Sequence, residues 1–161
     1  MTSHLPVVAV TFAVRPAERA VIAEALSDAA RATYLVDLDE AERTAVLRDA
    51  TAILARDTGR DLRPGETAHI RSASLIQFLT AGIDFVKLRE LPPGIAVASN
   101  GGAYAEPMAE HALAMTLAVA KRLMAEHAAL ARGEFNQQTR NRTLAGRICG
   151  VLGFGGIGVA T

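Results

Sequence analysis

Apolar and polar positions fall into blocks along the first hundred residues, and the blocks switch between strand-like and helix-like spacing. Residues 7–12, Val-Val-Ala-Val-Thr-Phe, form a short β-rich run. Pro16 follows, where a first helical turn does not need the missing N–H. Ala20, Val21, Ala25 and Leu26 then recur at helical spacing and predict a helix over 17–30. Further strands are predicted at 33–38, 51–55, 75–79 and 95–98, with a helix at 40–48 and one or two helical turns within 62–71. Apolar strands separated by helices predict a parallel sheet covered on both faces.

Residues 105–132 differ. They contain no glycine, and their one proline, Pro107, lies in the first turn. Ala109, Leu113, Leu117, Ala120, Met124 and Ala128 fall on one stripe, so a single long helix is predicted, stopped by Gly133. The polar stretch 134–143 reads as a linker. Residues 147–154 read as a sixth strand, which runs into Gly153-Phe154-Gly155-Gly156-Ile157-Gly158.

Composition narrows the classes. Half of the 161 residues are apolar and 21% are charged, a globular balance. Lys plus Arg equals Asp plus Glu at 17 each, so no basic excess suits a nucleic-acid partner. The lone cysteine, Cys149, has no internal disulfide partner, which fits a reducing compartment, and its place within a strand pattern predicts a buried structural thiol. The first residues lack a basic stretch followed by an apolar run, and no apolar run is long enough for a membrane span, so a soluble, cytoplasmic protein is expected.

The glycine loop carries the first candidate chemistry. In Gly153-x-Gly155-x-x-Gly158 the first glycine makes a tight turn and the second lets the backbone approach a pyrophosphate. The third lets a following helix pack closely on the preceding strand. Unpaired N–H groups at a helix start would face the phosphates. A ligand-free glycine-rich turn is the alternative.

The turn Thr80-Ala81-Gly82-Ile83-Asp84 ends the fourth strand. In an open parallel sheet, ligands bind beyond the carboxyl ends of the strands, and amides around a glycine there can hold a carboxylate. A plain turn, with Asp84 starting the next helix, is the competing reading. Asn100-Gly101-Gly102 is a second turn on the same predicted edge.

Glu110 and His111 are adjacent and cannot share a helical face, so they read as a surface pair and not as a dyad or metal pair. His4, His69 and His127 have no partner at a recognisable spacing. Asp57, after the third strand, sits where a phospho-receiver domain has its acceptor. That chemistry needs Mg²⁺ held by acids after the first strand, where this chain has Ala13-Val14-Arg15-Pro16, and the fifth strand ends without a lysine.

Four ordered blocks together carry a more specific signal: 75–84 (Leu-Ile-Gln-Phe-Leu-Thr-Ala-Gly-Ile-Asp), 95–102 (Ile-Ala-Val-Ala-Ser-Asn-Gly-Gly), 108–114 (Met-Ala-Glu-His-Ala-Leu-Ala) and 144–158 through the glycine loop. In order and spacing they resemble the D-isomer-specific 2-hydroxyacid dehydrogenases across nearly the whole chain. The resemblance implies a flavodoxin-like, doubly wound α/β substrate domain at 1–103 and a crossing helix at 104–133. A linker at 134–143 and the first strand of an incomplete NAD(P)-binding Rossmann domain at 144–161 would follow.

It further implies hydride transfer between NAD or NADP and a small 2-hydroxy or 2-keto acid, and a homodimer when full length. The backbone around Ala81 and Gly82 would hold the substrate carboxylate, and Arg56 would stand at the substrate cleft. Tyr104 takes a nicotinamide-facing position where relatives often carry Asn or Thr, a departure from the pattern. Gly153, Gly155 and Gly158 would shape the pyrophosphate loop, with amides of Gly156 and Ile157 as donors. The family's catalytic arginine, acid and histidine follow the glycine loop and have no counterpart in these 161 residues, so the chain is expected not to turn over alone. A non-catalytic protein that binds a full-length relative through its long helix is the alternative.

Overall fold

A computed structural model describes residues 5–161. Five parallel strands form one sheet: β1 (Val7–Val10), β2 (Arg31–Tyr34), β3 (Ala52–Ala55), β4 (Leu75–Phe78) and β5 (Ala96–Ala98), in spatial order β2-β1-β3-β4-β5. This is the flavodoxin-like doubly wound order that the family resemblance implies. Register is continuous across the sheet: Val8 pairs with Ala32 and Ala52, and Ile53 pairs with Ile76.

Helix α1 (Pro16–Leu26) begins at the proline. The Glu18 carboxylate accepts from the Arg15 amide at 2.9 Å and closes the first turn. Helix α2 (Glu40–Asp49) starts on a reciprocal cap, in which the Glu42 amide donates to Asp39 and the Asp39 amide donates to Glu42. Leu35, Leu47, Ile53, Ile76 and Phe78 are fully buried in the core. Removing each such side chain from water is worth about 1.5–3 kcal/mol.

Within 62–71 the expected helical turn is a 3-10 turn at Glu66–His69, preceded by the one-turn helix α3 (Thr58–Asp61). Glu66 is one of few buried charges. The Arg43 guanidinium donates to both of its oxygens at 2.6 Å and to the Leu35 carbonyl at 2.8 Å, while the Arg63 amide donates to it at 2.8 Å. Burial opposes ionisation of Glu66, but the Arg43 and Arg63 donors outweigh it and hold the carboxyl below its ordinary value.

Residues up to Gly101 form one compact unit, and Gly102–Thr161 form another. In the second unit the long helix is interrupted. Helix α4 (Ala105–Ala120) and helix α5 (Leu123–Ala131) meet at Arg122, which adopts a left-handed conformation with φ 54°. The Ala120 carbonyl accepts from the Arg142 amide at 2.9 Å, a bond from outside the helix that occupies the acceptor at the break. Gly133, at φ 79°, ends the second helix as expected.

The expected sixth strand is absent: residues 147–151 take no regular structure, and Ile148 and Leu152 are fully exposed. A strand needs a hydrogen-bonding neighbour, and among the described residues this segment has none. Cys149 is therefore exposed, where a buried thiol was expected.

Breaking the Arg43–Glu66 pair leaves a buried charge unpaired. Arg43→Met is expected to lower unfolding free energy by about 3–5 kcal/mol, read from urea denaturation. Because the folded pKa of Glu66 lies below the ordinary 4.5, its stabilisation is complete above that pH and is lost as pH falls through the lower folded value. Wild-type stability should drop in that acid window, and the drop should shrink in Glu66→Gln.

Candidate functional site

Parallel strands put all their carboxyl ends on one edge. In the first unit that rim carries Thr11 and Phe12 after β1, Arg56 and Asp57 after β3, Thr80, Ala81 and Gly82 after β4, and Asn100 after β5. Arg56 and the Ala81–Gly82 turn thus end adjacent strands, since Ala55 pairs with Phe78.

The Arg56 guanidinium lies over the Phe12 ring, 4.4 Å from its centroid. Its nearest carboxylate is Glu18, at 3.8 Å. Glu18 is engaged elsewhere: the Arg15 guanidinium, with help from the Arg15 amide, holds its carboxyl down to about 2, so it stays ionised. The Arg56 backbone is fixed separately. Its amide donates to the Asp61 carboxylate at 2.9 Å.

The Ala81–Gly82 turn is exposed and anchored from below. The Leu79 amide donates to the Ala55 carbonyl, and the Asn100 amide donates to the Thr80 carbonyl, both at 2.9 Å. The Thr80 hydroxyl is buried with no hydrogen-bond partner among the described residues. No α-helix starts at Asp84; the chain turns and makes a 3-10 turn at Leu88–Glu90. Asp57 is the N-cap of α3, accepting from the Gly59 amide at 3.0 Å. Glu110 and His111 are exposed on α4.

In the second unit the glycine loop leads into the one-turn helix α6 (Gly156–Ala160), capped by Gly155. Gly153 has φ 93°, which strains any side chain. A Cβ on Gly158 would run into the Gly153 carbonyl oxygen, whereas one on Gly155 would meet nothing within 4 Å. The third glycine therefore permits close backbone packing, and the second leaves its space open. A Cβ on Gly156 would lie 3.6 Å from Ala105 and 3.8 Å from Gly102 Cα, so the loop sits against the start of α4, where Tyr104 is the N-cap residue. The structure thus groups Arg56, Ala81 and Gly82 in one unit, and Tyr104 with Gly153, Gly155, Gly156, Ile157 and Gly158 in the other.

Sequence reasoning missed Phe12, Glu18 and Asp61. An aromatic just after the first strand and an acid five residues beyond Arg56 were the available signals for two of them; Glu18 had none.

No protein-family model and no curated protein matches the chain. Solved structures do. It is 29% identical to a glycerate dehydrogenase related protein from Thermoplasma acidophilum, with a TM-score of 0.65, over 96% of this chain and 48% of that one. It is 26% identical to the D-lactate dehydrogenase of Aquifex aeolicus, solved with NAD and lactic acid, with a TM-score of 0.70, over 96% and 46%. The chain is a structural relative of the D-isomer-specific 2-hydroxyacid dehydrogenases. A family protein of that description from Aeromonas salmonicida shares the fold at a TM-score of 0.75 and 17% identity. The chain spans about half the length of these relatives. Among the described residues, no helix is long and apolar enough to cross a membrane.

The glycine geometry separates two substitutions. Gly158→Ala is expected to disorder residues 153–160, seen as lost amide protection in hydrogen exchange, whereas Gly155→Ala should leave that protection unchanged. Equal loss in both would contradict the steric account.

Proposed function

We propose that these residues belong to a nicotinamide-dependent oxidoreductase that interconverts a 2-hydroxy acid and its 2-keto acid. The observation that carries this reading is the sheet rim. A cation, Arg56, and an exposed glycine turn, Ala81 and Gly82, end neighbouring parallel strands in a chain similar to dehydrogenases.

The amides around Ala81 and Gly82 take the substrate carboxylate, and Arg56 adds positive charge beside it. The amides of Gly156 and Ile157 take the pyrophosphate of NAD or NADP. Gly155 leaves room for that approach, and Tyr104 borders the same loop. The bound nicotinamide supplies or accepts the hydride. No side chain within these 161 residues is assigned the proton transfer that hydride addition to a carbonyl also needs. We assign residues 1–103 to the substrate domain, 104–133 to the crossing region, 134–143 to the linker and 144–161 to the start of the nucleotide-binding domain.

Three outcomes follow for the pure 161-residue chain. Pyruvate should shift the Ala81 and Gly82 amide resonances; shifts confined to other residues would count against the site. NADH with glyoxylate, pyruvate or hydroxypyruvate should show no loss of NADH absorbance above a protein-free blank. Calorimetry should find no tight NADH binding, since one loop and a one-turn helix make no adenosine pocket.

A second reading is favoured by the apolar surface of α4 and α5. Val119 and Met124 are each 78% exposed, and Leu113, Met115 and Leu123 are exposed beside them. On this reading the chain associates through these helices, with a full-length relative or a second copy. Light scattering should then show a dimer that Val119→Glu converts to monomer; a monomer at every concentration would exclude self-association.

A further inference from the structure

Every acid near Arg56 has another partner, and one of them, Asp61, holds the Arg56 backbone amide. The Asp61 Oδ2 atom accepts three hydrogen bonds: from the Thr11 hydroxyl at 3.0 Å and from the Arg56 and Asp57 amides at 2.9 Å each. Thr11 follows β1 directly and precedes Phe12, whose ring is the platform under the guanidinium. One carboxylate oxygen therefore ties the backbone that carries the cation to the strand end that carries its platform. Local spacing does not require this, since Thr11 is fifty residues away in sequence.

The same bonds divert the carboxylates. Asp61 is turned onto amides and a hydroxyl. Asp57 accepts from the Gly59 amide and faces Arg60 at 3.4 Å. Glu18 is held by Arg15 at 2.8 Å. Among the described residues, Arg56 is thus left with one carboxylate at 3.8 Å and no side-chain hydrogen bond to an acid. A guanidinium so placed keeps its donors for an incoming anion. Substituting Asp61 acts on both features at once, because it frees the loop and loosens the stack.

We propose that Asp61 is a positioning residue: it locks Arg56 over Phe12 at the sheet rim so that the guanidinium is presented to the carboxylate of the acid substrate. This rests on the oxidoreductase reading for the role of Arg56, but the positioning itself does not.

The test uses the 161-residue chain, with oxalate as the anionic probe. In the wild type, the Arg56 Nε–Hε resonance should carry the upfield ring-current shift of a group over an aromatic face. Asp61→Ala, which removes the acceptor, should abolish that shift and weaken oxalate binding about tenfold, the scale of lost charge-assisted hydrogen bonds. Thr11→Val removes only the hydroxyl donor and should give a smaller change of the same kind, about threefold. Unchanged resonances from Ile53, Ile76 and Phe78 would show that the core is intact in both. Retention of the ring-current shift in Asp61→Ala, with the core intact, overturns the proposal. If the shift is lost but oxalate affinity is the same in wild type, Asp61→Ala and Arg56→Gln, positioning stands and the substrate role of Arg56 falls. If Arg56→Gln weakens oxalate while Asp61→Ala does not, the substrate role stands and positioning by Asp61 falls.

Discussion

The common direction of the five strands is the constraint on which the rest depends. A parallel ladder leaves its last carbonyls and amides on one rim, and the chain must leave every strand there. Loops from residues far apart in sequence therefore become neighbours: those after Val10, Ala55, Phe78 and Ala98 share one edge. Chemistry gathers on that edge because backbone polar groups there still have bonding capacity to offer. The core beneath is the platform. Ile53, Ile76 and Phe78 are fully buried in the two strands that end at Arg56 and Ala81.

Two arginines show how the same side chain serves opposite ends. Arg43 is buried, and its donors are spent on Glu66 and the Leu35 carbonyl, which fixes α2 to the chain around residues 63–69. Such a pair gains little over an apolar substitute but is costly to break. Arg56 sits at the rim over Phe12, with its guanidinium half exposed and its nearest acid at the limit of ion-pair distance. The first arrangement consumes hydrogen-bonding capacity, and the second conserves it.

Much of this was legible in the sequence where periodicity and backbone rules decide the outcome. A parallel sheet followed from apolar runs between helical patterns, the flavodoxin-like arrangement from the family resemblance; Pro16 marked the start of α1, and Gly133 the end of α5. Gly153 and Gly158 were legible because left-handed geometry and close backbone approach both demand glycine. What failed depended on distant partners. The break at Arg122 involves neither glycine nor proline; it comes with a bond from Arg142 to Ala120. The strand expected at 147–154 had the right residues but no neighbour to pair with, and Cys149 was exposed with it. The Arg43–Glu66 pair and the Thr11–Asp61 bond span 23 and 50 residues, beyond any local pattern.

On the oxidoreductase reading, the rim at Arg56, Ala81 and Gly82 receives the carboxylate of a 2-keto acid. A crystal structure of the chain grown with oxamate, a non-reacting analogue of pyruvate, would show it. The oxamate carboxylate should lie within hydrogen-bond distance of the Ala81 or Gly82 amide, with the Arg56 guanidinium facing the ligand. Oxamate bound elsewhere, or an empty rim at saturating oxamate with no lattice neighbour covering it, would rule that role out.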